Sequence, residues 1–202
     1  MNQITPILIY LYIILHYSRM LLLISFLLSL SLNSNSFTIF THDNQFLRID
    51  NQGIYKLNNN IWEYSIDHNL DFDNYEFDFI ETNDKSYLIS KGGGKVLLYQ
   101  NDTISEIDNS HEWKSRYESD IFLKNDTIFS FGGYGYFNFK NDLLFFEIKT
   151  GEWNLYKKFK TLKGRSNSLG FYNKSKNEYF FGLGKNQEGI LQDLYKYDFR
   201  QK

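Results

Sequence analysis

Hydrophobic and polar positions divide this chain into two regions of different pattern. From Ile7 to Leu32 it is almost wholly apolar, interrupted only by His16-Tyr17-Ser18-Arg19. Read from Met20, the Leu-rich run followed by Asn33-Ser34-Asn35-Ser36 has the form of a secretory leader, with Ser34 and Ser36 as the small pair before cleavage. A leader helix over residues 1–36, cleaved near Ser36, is therefore predicted. The competing expectation is an uncleaved anchor, because about 20 apolar residues suffice to span a bilayer. Both place the remainder outside the cytoplasm. A buried globular helix is disfavoured, since nothing downstream reads as its helical partner. No second apolar run of that length follows, which excludes a polytopic membrane protein.

After Ser36 the pattern changes to short apolar strands with turn signals between them, and it repeats. Trp62, Trp113 and Trp153 lie 51 and 40 residues apart. Each closes a similar phrase: Ile54-Tyr55-Lys56-Leu57 before Trp62, Ile104-Ser105-Glu106-Ile107 before Trp113, and Phe145-Phe146-Glu147-Ile148 before Trp153. A fourth copy begins at Asp193, offset by 51 residues from Asp142, and would carry its Trp at about position 204, past Lys202. Glycine turns keep step. Gly92-Gly93 follows the strand Tyr87-Leu88-Ile89, Gly132-Gly133 follows Ile128-Phe129, and Gly182-Leu183-Gly184 follows Tyr179-Phe180. Arg116 and Arg165 stand 16 and 17 residues ahead of Gly132 and Gly182. The stretch Asp126 to Trp153 contains every part of the phrase. By contrast, Thr161 to Ser168 and Ser65 to Asn74 read as surface connections.

An arginine ahead of the first inner strand, a Gly-Gly doublet, a strand with an aromatic and a closing Trp together resemble the kelch repeat, over roughly Phe77 to Lys202. The resemblance implies an all-β fold, a β-propeller of four-stranded blades occupying residues 37–202. Propellers close with about 4 to 8 blades, and this length supplies about three and a half. The ring is therefore expected to be incomplete, the front of a larger propeller, and to need further blades or a second copy to close. In kelch-like propellers the loops leaving the doublets reach the end of the central channel. Tyr134, Tyr136 and Asn138 of one blade, with Lys185, Asn186 and Gln187 of the next, are thus the expected ligand contacts.

Composition supports the β assignment, since aromatics make up 19 % of the 202 residues and favour pleated strands. An Asn-, Lys- and Tyr-rich bias spread over the whole chain makes any single Tyr or Asn weak as a functional sign. The formal charge is −2, and Arg19 is the only charged residue before Asp43, so the part after the leader carries −3. That offers no basic footprint for nucleic acid. Without cysteine there is no disulfide, thiolate metal site or Cys nucleophile, nor the cysteine-linked tyrosine of kelch-type copper oxidases. His16, His42, His68 and His111 are not at metal-ligand spacing.

Lys91-Gly92-Gly93-Gly94-Lys95 lacks the leading glycine of a phosphate loop and has no helix after it. The run Asp67 to Asp73 alternates oxygen ligands like a calcium loop, but Phe72 takes the glycine position and Asp78 the place of the bidentate glutamate. Asn101, Asn125 and Asn173 match glycosylation acceptors, as an Asn-rich chain does by composition. No Gly-x-Ser-x-Gly elbow occurs. The expectation is an extracytoplasmic module that binds a protein or carbohydrate, without catalysis, cofactor or metal. A propeller enzyme acting on a sugar (an epimerase or hydrolase) and a non-functional remnant are the alternatives.

Overall fold

Two-residue turns of Asn and Asp set the spacing of the strands. Asp43-Asn44, Asn59-Asn60, Asn101-Asp102 and Asn125-Asp126 all take φ between 47° and 65°, and each pair joins two antiparallel strands. Positive φ at both central residues is the turn whose twist matches that of the flanking strands, and Asn and Asp reach it at little cost. Asn101 and Asn125, read above as glycosylation matches, are thus turn formers.

The computed structural model describes residues 37–70, 76–82, 84–91, 95–111 and 116–201. The leader, Gly92, Gly93 and Trp113 lie outside the described residues. Those described are all β, as the composition predicts, and none forms a helix able to cross a membrane. The first sheet runs β1 (Thr38–His42), β2 (Gln45–Asp50), β3 (Gly53–Asn58) and β4 (Ile61–Ile66) in sequential order. The second repeats this with β5 (Phe77–Glu81), β6 (Ser86–Ser90), β7 (Val96–Gln100) and β8 (Thr103–Glu106). In the third, the hairpin β11 (Tyr134–Gly135) and β12 (Asn138–Phe139) interrupts the order β9 (Asp120–Lys124), β10 (Thr127–Phe131), β13 (Asp142–Glu147) and β14 (Glu152–Lys158). The fourth has three strands, β15 (Leu169–Asn173), β16 (Glu178–Gly182) and β19 (Leu194–Asp198), with the hairpin β17 (Lys185–Asn186) and β18 (Gly189–Ile190) in the matching place.

Period-two alternation gives each inner sheet two apolar faces, and consecutive sheets bury them against each other. Phe40, Leu47, Ile49 and Ile54 pack on Leu88, Leu97 and Tyr99 of the second sheet. The opposite face of that sheet, with Tyr87, Ile89 and Val96, meets Ile128, Leu144, Phe146 and Trp153 of the third. Phe122, Phe129, Phe131 and Leu143 then meet Tyr179 and Phe181 of the fourth. Each such buried large side chain contributes about 1.5–3 kcal/mol. Among the described residues, none packs on the fourth sheet's outer face. Phe171 and Leu194 are 64 % and 72 % exposed, whereas Phe122 and Leu143, at the same register in the third sheet, are 8 % and 0 % exposed.

Trp153 pairs across its hairpin with Phe146, and Trp62 with Leu57, so these two tryptophans occupy the same register. The arginines are structural. The Arg116 guanidinium donates to Asp142 Oδ1 at 2.6 Å and to the Gly132 carbonyl at 3.1 Å. Arg165, fully buried, makes a bidentate pair with Asp193 and donates to the Leu183 carbonyl at 3.2 Å.

That equivalence corrects the glycine register. Gly132-Gly133 corresponds to Leu183-Gly184, not to Gly182 and Gly184. Gly132 and Gly133 have φ of 70° and 91°, and Leu183 and Gly184 have 55° and 87°. Leu183 therefore holds a left-handed conformation that a Cβ opposes, while Gly182 ends β16. Thr161 to Ser168 also departs from its sequence reading as a surface connection. Arg165, Ser166 and Ser168 are buried, because the segment turns inward to hydrogen-bond both neighbouring sheets.

Candidate functional site

The segments that enter β9 and β15 are built alike. Tyr117 forms a two-way backbone bridge with Tyr134, and Ser166 does the same with Lys185. The next residues, Glu118 and Asn167, both adopt positive φ, 54° and 51°. Asparagine tolerates this readily, and a glutamate less so. Their amides link the sheets: Glu118 N–H donates to the Lys91 carbonyl at 3.1 Å, and Asn167 N–H to the Glu118 carbonyl at 2.8 Å. These contacts bring the first strands of successive sheets together, β1 beside β5, β5 beside β9, and β9 beside β15.

A cavity of about 620 Å³ opens where those strands converge. Glu76 and Asp78 reach it from the second sheet, Glu118 and Asp120 from the third, and Asn167 and Ser168 from the fourth. Phe79, 46 % exposed, adds an aromatic wall. Among the described residues Lys91 is the one cation in the lining, 3.4 Å from Asp78 and 3.9 Å from Glu76. Lys185 stands beyond the lining and pairs with Glu118 at 3.2 Å.

The carboxylates are not alike. Burial opposes ionisation of Glu118, but hydrogen bonds from Ser166, Asn167 and Lys185 outweigh it and hold its pKa below the usual range. Asp120 is pushed up to about 6, chiefly by burial and further by Asp78, although Tyr179 Oη and Gly170 N–H both donate to it. A Cβ at Gly170 would collide with Asp120 Oδ2 and Tyr179 Oη, so glycine is required for that approach. Among the described residues no cation pairs with Asp120. Ser168 is 7 % exposed, and its hydroxyl has no hydrogen-bond partner there.

A second cavity of about 370 Å³ lies near the β1–β2 and β7–β8 turns. Its polar groups satisfy one another: Lys56 Nζ and Tyr99 Oη both donate to Asp102 Oδ1, at 2.7 and 2.8 Å. This network reads as structural.

Of the six residues expected to contact ligand, Lys185 alone is tied to the larger cavity, through Glu118. Tyr134 is half-buried against Phe139, with ring centroids 4.9 Å apart, and Asn138 donates to the Tyr136 carbonyl. Tyr136 and Phe137 form the tip of β11–β12 at φ of 49° and 59°, and Phe137 is 91 % exposed. Asn186 caps the Glu188 amide, and Gln187 is exposed at the tip of β17–β18. The two hairpins occupy equivalent places, as the repeat predicts, but the cavity is lined by the residues just before β9 and β15 instead. Glu118, Asp120 and Ser168 are not singled out by the sequence, and Asp78 only as the last position of the calcium-like run. The available signal was the alignment of Arg116-Tyr-Glu-Ser-Asp120 with Arg165-Ser-Asn-Ser-Leu169.

No family model matches the chain, and no curated protein does. Solved structures do match, among them one titled "Structure of YjhT", with a TM-score of 0.58 and 15 % identity. The match covers 83 % of this chain and 64 % of that one, so the chain spans less than two thirds of that protein's length. At this identity the likeness concerns the fold alone.

Proposed function

We propose that the chain is a kelch-like β-propeller segment outside the cytoplasm that binds a ligand at the axial cavity formed by its first strands. The sequential four-stranded sheets and the repeated arginine–aspartate pairs support the propeller reading. The apolar leader supports the location. One observation carries the binding role: polar side chains from three consecutive sheets converge on one cavity, and they include a carboxyl, Asp120, that has no cationic partner among the described residues. Pockets of this size with few, converging polar groups are the usual form of small-ligand sites.

The same carboxyl supports a second reading, an enzyme acting on a sugar. A buried group with pKa near 6 is suited to proton transfer.

Both readings are tested by hydrogen exchange on the full chain in mild detergent, with pooled sugars, amines and short peptides. Binding at the cavity should slow exchange in β5, β9 and residues 166–169, and leave β2–β4 unchanged. Protection confined to other segments, or none with any pool, would remove the proposal. Recovery of a chemically altered sugar would favour the enzyme.

A further inference from the structure

The strands give the sheets two unlike ends. Each sheet's first strand starts at the end where its second strand stops, so the entries to β1, β5, β9 and β15 share that end with the β11–β12 and β17–β18 hairpins. Contacts between sheets keep the ends in line. At the far end Asp43 N–H donates to Glu81 Oε1 at 2.9 Å, and at the near end the Glu118 and Asn167 amides link the second, third and fourth sheets. The four Asn and Asp turn pairs all lie at the far end.

At the near end one turn of the same shape has a different composition. Tyr136 and Phe137 hold the left-handed pair of conformations, at φ of 49° and 59°, which asparagine and aspartate adopt readily and bulky side chains rarely. Phe137 is nevertheless 91 % exposed and Tyr136 53 %. The matching hairpin of the fourth sheet carries Gln187-Glu188 at its tip, with Glu188 paired to Lys163. The aromatic tip is braced from below: Tyr134 is bridged to Tyr117, Lys140 N–H donates to the Gly133 carbonyl at 2.8 Å, and Arg165 N–H to the Lys140 carbonyl at 2.9 Å. Neither the backbone nor the core gains from aromatic residues there, which marks the tip as a contact element. Ile190, 84 % exposed on the neighbouring hairpin, extends the apolar surface of this end.

The path of the chain identifies the occupant. β1 opens at this same end, and the apolar run Ile7–Leu32, long enough to span a bilayer, closes six positions before Thr38. Six residues cover at most about 20 Å when extended. The hairpin from Tyr134 to Phe139 carries no charge, and the part of the chain after the leader carries −3. A zwitterionic lipid surface therefore suits this end, and an anionic one does not. Tyrosine fits the headgroup level, where its ring is covered and its hydroxyl stays wet, and phenylalanine fits the acyl chains beneath.

We propose that the apolar run is retained as a membrane anchor and that the β11–β12 tip rests in the extracytoplasmic leaflet, with Phe137 among the acyl chains and Tyr136 at the headgroups. The inference rests on the location outside the cytoplasm and is independent of the axial cavity. Because the chain has no cysteine, one label can be placed selectively. The full chain is reconstituted in phosphatidylcholine vesicles with an environment-sensitive fluorophore on Asn138→Cys, beside Phe137, or on Ser175→Cys, in the exposed β15–β16 turn at the far end. Phosphatidylcholine brominated on its acyl chains should quench the first label and not the second. Tyr136→Asn with Phe137→Gly installs the pair this turn favours, so the hairpin stays folded. It should remove about half or more of the quenching, since it deletes the apolar area that enters the lipid.

Equal quenching at both positions, none at Asn138→Cys, or quenching unchanged by the paired substitution would overturn the inference. A tip that docks on a protein instead of lipid gives the second of these results. Flotation of the same samples separates the two parts. Chain that floats with the vesicles without quenching keeps the anchor and loses the tip contact, whereas chain that does not float loses both.

Discussion

Replacing Asp120 with asparagine should make the protein more stable, in a manner set by pH. The Asp120 carboxyl has a folded-state pKa raised from 3.8 to about 6, with burial the largest cause and Asp78 adding to it. At about 1.4 kcal/mol per pH unit this corresponds to about 3 kcal/mol. The sign follows from the raised value. The folded state holds the proton more tightly than the unfolded chain, so this stability is fully present below pH 4 and is lost as pH rises through 6. Asparagine keeps an acceptor for the Tyr179 hydroxyl and the Gly170 amide but has no charge to bury.

The variant should therefore exceed the wild type by up to about 3 kcal/mol at pH 7.5, and the two should converge near pH 4. Urea unfolding of both chains at pH 4, 5, 6 and 7.5 measures the difference, with an unchanged m-value marking a comparable transition. A variant less stable at pH 7.5, or one equally stabilised at pH 4 and pH 7.5, would refute the reasoning.

Two further outcomes follow from the repeat. Arg165→Met should cost about 3–5 kcal/mol in urea unfolding, because it leaves Asp193 uncompensated; Arg165→Lys should recover only part of this, since one ammonium cannot reproduce the two-pronged contact. The bare outer face of the fourth sheet should draw a second copy, so sedimentation of the full chain in detergent should show self-association that Phe171→Lys with Leu194→Lys abolishes; identical single-copy sedimentation of both would dismiss the idea.

The architecture was legible because its signals recur. Trp62 and Trp153 share a register, and Arg116 and Arg165 each hold the aspartate that opens a later strand. The hairpin turns were legible too, as Asn and Asp pairs between apolar runs, but two of them were weighed as glycosylation matches instead. The glycine register was misplaced by one residue. Leu183 occupies a left-handed position where the pattern demands glycine, and its correspondence to Gly132 shows in shared contacts: each carbonyl accepts from its arginine, and each N–H donates to the carbonyl of its aspartate. Surface position was misjudged for Arg165 to Ser168, since polar residues in a connection look solvated until their inter-sheet hydrogen bonds are known.

The candidate site was harder to read because it lies where consecutive repeats differ. At the register where Asp120 stands in the third sheet, the fourth has Leu169; where the third has Ile121, the fourth has Gly170; where the third has Ile128 in an apolar cluster, the fourth has Tyr179. Each substitution breaks the period, and each breaks it in a way that fits the others. The missing Cβ at Gly170 admits the Asp120 carboxylate, and the Tyr179 hydroxyl meets it from the next strand. Periodicity identifies residues that do the same task in every sheet. A charged group that has to be received by a neighbouring sheet is needed once, so its partners carry no repeating signal. A candidate site at the junction of repeats is found by asking which departures from the period are complementary in space, and Asp120, Gly170 and Tyr179 meet that condition across the third and fourth sheets.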